Sequence, residues 1–170
     1  MSPRPFLIYP DKRLLTPAAP VSAVDDEIRS IWEEMLAAMY AMPGVGLAAP
    51  QLGIPLRLAV VDCDPANPAP VRMANPELLD VGEEVELGPE GSPNLPGLSA
   101  EVARATSVRV RFLDAEGAVA ERRFDGLWAR SVQHQIDHLD GHLFVDRLGP
   151  VKRRLVLARH AKSRRNAKRG

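Results

Sequence analysis

From Asp25 to Ala41 the apolar residues Ile28, Ile31, Trp32, Met35, Leu36 and Met39 recur every three or four positions, the spacing of one buried helical face. Asp25, Asp26 and Glu27 favour the positive end of that helix, and Pro43-Gly44 stops it. The Met/Trp stripe is read as core, not as a cofactor-binding face. Phe6 to Tyr9 predicts an edge strand or extended arm, stopped by Pro10-Asp11, and Thr16 to Pro20 a loop. Leu56 to Val61 predicts a buried strand, and Asp62 to Pro70 a loop. Arg72 to Asn75 and Val81 to Leu87 predict strands joined by a turn at Pro76. Glu90 to Gly97 reads as loop. Val108, Val110 and Phe112 alternate with Arg109 and Arg111, the period of a half-exposed strand. Asp114 to Gly117 then turns the chain, and Ala118 to Phe124 returns as its hairpin partner. A helix follows, with Asp125-Gly126 at its cap and Gly141 at its stop. Lys152 to Lys168 is a second, weakly amphipathic helical candidate. Strands followed by helices predict an α+β class, with no internal repeat and no clear domain boundary.

Composition adds bounds. At 170 residues, with 45% apolar and 26% charged positions, the chain is most simply one soluble domain with one core. No apolar run approaches the roughly 18 residues that span a bilayer, and the N-terminus lacks the apolar region of a signal peptide. Cys63 is the only cysteine, which excludes an internal disulfide and a Cys-rich zinc cage. Asp62 and Asp64 beside it disfavour a thiolate, so it is a poor nucleophile. These features predict a cytoplasmic protein with neither membrane nor DNA as partner. The net charge of zero hides an asymmetry: residues 147–170 hold ten Lys/Arg and no acid, and the rest of the chain is correspondingly acidic. A basic tail on an acidic body fits contact with a polyanion such as RNA. It equally fits a helix docked on its own body, and both readings stay open.

The chemistry concentrates in SVQHQIDHLDGHLF, residues 131–144. His134 and His138 stand four apart, which on a helix puts both imidazoles on one face and lets them fill two positions of one metal. In the hydrolytic H-E-x-x-H form a glutamate follows the first histidine and takes the proton of activated water. Gln135 stands there and has no carboxyl group. A second stretch, GVGLAAPQLG (44–53), is rich in small residues that permit close backbone approach. Its Gln51 carboxamide could polarise a substrate carbonyl or serve as a structural amide.

Three stretches in order resemble the peptide deformylase family. GVGLAAPQLG is similar to Gly-x-Gly-x-Ala-Ala-x-Gln, EGSPNLPG to Glu-Gly-Cys-Leu-Ser followed by x-Pro-Gly, and QHQIDHLDG to Gln-His-Glu-x-Asp-His-Leu-x-Gly. RPFLIYPDKRL and the strand AEVARATSVRVRFLDAEG also resemble that family, so the likeness covers nearly the whole chain. It implies antiparallel sheets packed around a central helix that carries the two histidines. The likeness divides the chain into a deformylase-like domain over 1–150 and a basic C-terminal helix or tail over 151–170. It implies a hydrolase of linear amides that uses ferrous iron or zinc to remove the N-formyl group from the initiator methionine of nascent chains. Formylmethionyl peptides would be the substrate, with the ribosome as a further partner of the tail.

Carried over position by position, His134 and His138 match metal ligands and Gln51 matches the glutamine that meets the developing oxyanion. Gly44, Val45, Gly46, Glu90, Gly91 and Asn94 match substrate-binding segments. Ser92 stands where the family has its cysteine ligand, Pro93 where a backbone N–H would donate, Asn94 where the family has serine, and Gln135 where it has the catalytic glutamate. Ligand, oxyanion donor and general base are thus all altered. The expectation is a deformylase-like protein with impaired or lost hydrolysis that retains a peptide- or ribosome-binding role and holds metal weakly or not at all. The alternative is an active metallohydrolase on formyl-peptides or a related amide, its third ligand supplied by Ser92, Glu90 or His142.

Overall fold

Among residues 3–170, which the computed structural model describes, the chain forms three α-helices and seven strands. Helix α1 spans Asp26–Ala41. The Asp25 carboxylate accepts the Ile28 N–H at 2.9 Å, satisfying one donor that the helix start leaves free. Ile28, Trp32, Met35, Leu36 and Met39 are all buried. Trp32 keeps its indole N–H satisfied by donating to the Met73 carbonyl.

Five strands make one antiparallel sheet. They are β1 (Gly46–Ala48), β2 (Leu58–Val61), β3 (Val71–Val81), β6 (Ser107–Leu113) and β7 (Val119–Asp125), in the order β1-β2-β3-β6-β7. Strands β4 (Val85–Gly91) and β5 (Ser99–Ala105) pair with each other in a separate two-stranded sheet. Helix α2 (Gly126–Leu139) covers one face of the large sheet and α1 the other. Strand β2 records this sandwich in four residues: Ala59 and Val61 pack with α2, while Leu58 and Val60 pack with α1. A strand buried on both faces reads as one apolar run without alternation. A third cluster joins Leu95, Val102, Leu143, Phe144 and Val145 to Val156 of helix α3 (Pro150–Arg169). The architecture is α+β, with the histidine-bearing helix at its centre.

The chain departs from the predicted pattern in several places. No turn forms at Pro76, because β3 runs through it. The residue before it, Asn75, takes φ +50°, and the register against β6 shifts between Ala74 and Glu77. An irregularity of this kind accommodates a proline, which has no N–H for the ladder. Asn75 is held there by its side chain, which accepts from the Val21 N–H at 2.9 Å and donates to the Val21 carbonyl at 2.8 Å. The stretch 100–117 is two strands rather than one, since β5 and β6 belong to different sheets. Arg104 sits on the same face as Val102 and is 4% exposed, and this buried cation obscured the alternation of β5. Glu90 and Gly91 end β4 instead of opening a loop. Asp125 makes no side-chain cap to α2 and instead pairs with Arg123. Phe6 to Tyr9 is an arm outside any strand.

Residues 151–170 are helical to Arg169. Val156 packs inward, His160 Nε2 donates to the Tyr9 carbonyl at 2.7 Å, and Arg164 donates to the same oxygen at 2.8 Å. Among the described residues, Arg153 is the one α3 cation paired with a carboxylate, that of Asp146. Apolar packing, these two hydrogen bonds and the Arg153–Asp146 pair seat this helix on the body. No helix of the described residues is long and apolar enough to cross a membrane.

Candidate functional site

Helix α2 presents His134 and His138 one turn apart, with their Nε2 atoms 3.1 Å from each other. Both rings are buried, His138 almost completely. His134 Nδ1 lies 2.8 Å from Glu90 Oε1. Glu90 reaches it from β4 and is itself gripped by Arg104 of β5, through Nε and Nη2 at 2.8 Å each, and by Arg130 Nη1 of α2 at 2.8 Å. Burial would raise the Glu90 carboxyl, but hydrogen bonds from Arg104 and His134 outweigh it and hold the group at about 2. An ionised Glu90 accepts the Nδ1–H of His134, which leaves the His134 Nε2 lone pair facing its neighbour. His138 Nε2–H donates to that lone pair, and His138 Nδ1 then has no partner. Burial drives the His138 ring well below its usual value, so it stays neutral.

Arg104 also donates to Asp137 at 2.7 Å, and Asp137 in turn holds Arg147. Burial works against the Asp137 charge, but Arg147 and Arg104 more than compensate and keep its carboxyl below the ordinary range. Asp137 therefore ties α2 to β5 and to the turn before α3, and it lies outside the imidazole pair. Arg104 and Arg130 escaped the reading of the sequence. The signal for Arg104 was its place two residues from Val102, on the inward face of a strand.

The cleft beside the histidines has a volume of about 340 Å³. One wall is Gly44, Val45 and Gly46, the other is Glu90, Gly91, Ser92 and Pro93, and Gln51, His134 and Gln135 line it between them. A Cβ at Gly46 would overlap the Ser131 hydroxyl and the Gln135 amide nitrogen, so only glycine lets β1 approach α2 this closely. Gln135 is 4% exposed, and its Oε1 has no hydrogen-bond partner.

Gln51 Oε1 accepts the Ala48 N–H at 2.8 Å, and its Nε2 donates to Asn94 Oδ1 at 2.8 Å. The Ser92 hydroxyl also donates to Asn94 Oδ1, at 2.8 Å. Asn94 is fully buried, with Nδ2 on the Leu7 carbonyl at 2.6 Å. It lies behind the cleft wall rather than on it, and its amide is consumed by Leu7, Gln51 and Ser92.

Two imidazole nitrogens on a tetrahedral ion with metal–nitrogen bonds of about 2.0–2.1 Å lie roughly 3.3 Å apart, so the histidine pair suits one ion. The rest of the donor set does not. Glu90 spends its oxygens on His134 and two arginines, the Ser92 proton goes to Asn94, and His142 is exposed beside Asp146. Among the described residues no group of three His, Cys, Asp or Glu side chains could hold a metal ion. The residues present therefore do not fit a three-ligand iron or zinc centre, and a bound metal would rest on two imidazoles and solvent.

A sequence model of the family described as polypeptide deformylase matches residues 3–154. A peptide deformylase of Rhizorhabdus wittichii is 43% identical over 175 residues, covering 99% of each chain. A crystal structure of a peptide deformylase from Legionella pneumophila superposes with a TM-score of 0.90 at 37% identity, over 99% of each chain. A Met-Ala-Ser-bound class I type b peptide deformylase from Acinetobacter baumannii superposes at 0.81 with 36% identity, over 85% of this chain and 97% of that one.

Proposed function

The chain belongs to the polypeptide deformylase family, and from that membership we propose that it binds the N-terminal residues of formylmethionyl peptides while hydrolysing them slowly or not at all. The supporting observation is an open cleft, about 340 Å³, whose surroundings, among the described residues, hold two imidazoles but no third metal ligand, an amide rather than a carboxylate at Gln135, and no backbone donor at Pro93. The walls suit an extended peptide. Val45 gives its carbonyl to Asp62 N–H on the β2 side, so in antiparallel alternation the next residue, Gly46, turns its peptide groups towards the cleft. The tripeptide in the Acinetobacter baumannii relative supports a short methionyl peptide as occupant, and we place the protein in the cytoplasm with nascent chains. Calorimetry with formyl-Met-Ala-Ser is expected to give saturable binding with negligible formate release. Turnover like that of an ordinary deformylase would overturn this reading.

A second reading is supported by the 3.1 Å convergence of His134 and His138: an active hydrolase with an unusual ligand set. The two diverge on metal content. Purified protein is expected to hold far less than one iron or zinc per chain after dialysis, because two imidazoles without a thiolate bind weakly. Close to one tightly held metal per chain would favour the second reading.

The cationic helix α3 is assigned to ribosomal RNA. Lys152, Arg154, Arg159, Lys162 and Arg165 are exposed and carry none of the contacts that seat the helix. Changing all five to glutamate is expected to abolish co-sedimentation with ribosomes at low salt. Moderate salt is expected to release the unaltered protein, because phosphate contacts weaken steeply with salt. Equal pelleting of both forms would refute the assignment.

A further inference from the structure

We propose that Asn94 is a positioning residue that turns the Gln51 carboxamide and the Ser92 hydroxyl away from the cleft, so that neither side chain offers a hydrogen-bond donor to a carbonyl-bearing ligand. Asn94 Oδ1 accepts from two side chains at once, Gln51 Nε2 and Ser92 Oγ, each at 2.8 Å. The second Gln51 Nε2 hydrogen leans towards Ser92 Oγ at 3.4 Å. The three side chains close into a ring, and both hydrogens of the Gln51 amide, together with the Ser92 hydroxyl proton, are used inside it. Pro93, between the two ring members of this segment, has no N–H to add.

The ring cannot simply rotate open. The Gln51 oxygen is fixed by the Ala48 N–H and the Asn94 nitrogen by the Leu7 carbonyl at 2.6 Å. These bonds also settle which end of each amide is oxygen. A serine at position 94 has a shorter side chain and would leave Gln51 Nε2 without its nearest acceptor. A buried amide N–H that loses its acceptor is driven to find another, and the cleft that Gln51 lines is where a ligand carbonyl or water can supply one.

The test has two arms. The first needs no ligand. In nitrogen-15 spectra of the full chain, both Gln51 side-chain amide protons are expected to exchange slowly with solvent. Asn94→Ser is expected to speed their exchange roughly tenfold, the worth of one hydrogen bond. Ser92→Ala, which leaves the Asn94 bond to Leu7 intact, is expected to release one of the two protons and not the other. This second variant decides the matter if Asn94→Ser does not fold. The second arm rests on the peptide-binding reading: Asn94→Ser is expected to bind formyl-Met-Ala-Ser roughly tenfold more tightly, and the gain is expected to vanish when Gln51→Leu is added. Unchanged exchange in both variants would overturn the proposal, as would an affinity gain that persists with Gln51→Leu. If no form binds the peptide, the reading of the cleft falls and the exchange rates alone decide the role of Asn94.

Discussion

Arg104→Met is expected to cost about 3–5 kcal/mol of folding stability, because it strips the partner from charges that cannot reach water. Arg104 and Glu90 are each 4% exposed in their side chains and Asp137 is 7%, and one guanidinium serves both carboxylates. Glu90 would keep Arg130, and Asp137 would keep Arg147, so the damage falls short of two isolated buried charges. Urea denaturation at pH 7 measures it, and a loss below about 1 kcal/mol, the level of an exposed pair, would show that the two flanking arginines suffice. The network also sets an acid limit. Glu90 titrates at about 2 in the fold and near 4.3 in an unfolded chain, and Asp137 is depressed in the same sense. A depressed folded value means that the stabilisation is complete above the unfolded value and is lost as pH falls from about 4.3 towards 2. Unfolding midpoints measured across that window are expected to drop steeply for the unaltered protein and more weakly for Glu90→Gln.

Formate release is expected to return only when several changes are made together. Ser92→Cys supplies a thiolate donor beside the two imidazoles, Pro93→Leu restores a backbone N–H, and Gln135→Glu restores a general base. An oxyanion donor is worth about 10²–10³ in turnover and a general base about 10²–10⁴. The factors do not multiply freely, since such groups act as a unit. The triple variant is therefore expected to exceed the unaltered chain by at least about 10⁴-fold, while Gln135→Glu alone stays within about tenfold. Full activity from that single change would refute the account of the missing ligand. The same substitution places a carboxylate where Gln135 Oε1 is now buried without a partner, so its cost in stability should be followed alongside turnover.

The parts legible in the sequence were those carried by local spacing. The α1 stripe, the one-turn separation of His134 and His138 and the β6–β7 hairpin all follow from periods of 3.6 or 2 within a dozen residues. The family motifs were legible too, as were the substitutions within them. Contacts across long separations were not. Arg104 meets Glu90 fourteen positions away and Asp137 thirty-three away, and an arginine in a strand carries no mark of facing inward except its register. Gln51 and Asn94 lie forty-three positions apart, so nothing local could say whether the carboxamide served a substrate or the protein itself. Pro76 misled for the opposite reason: its local signal was strong, and a bulge at Asn75 absorbed it.

The Tyr9 carbonyl carries a consequence for the order of synthesis. It is held by His160 and Arg164, 151 and 155 positions further along, while the Tyr9 N–H donates to the Asn94 carbonyl and Leu7 meets both Gln51 and Asn94. The arm over residues 7–9 thus lies between the floor of the cleft and helix α3, which is made about 150 residues later. Until residues 160 and 164 have cleared the exit tunnel, the arm lacks the clamp on its outer side. The floor of the cleft is therefore clamped only after residues 160 and 164 have been made, and a chain halted before them would have every cleft residue without that clamp.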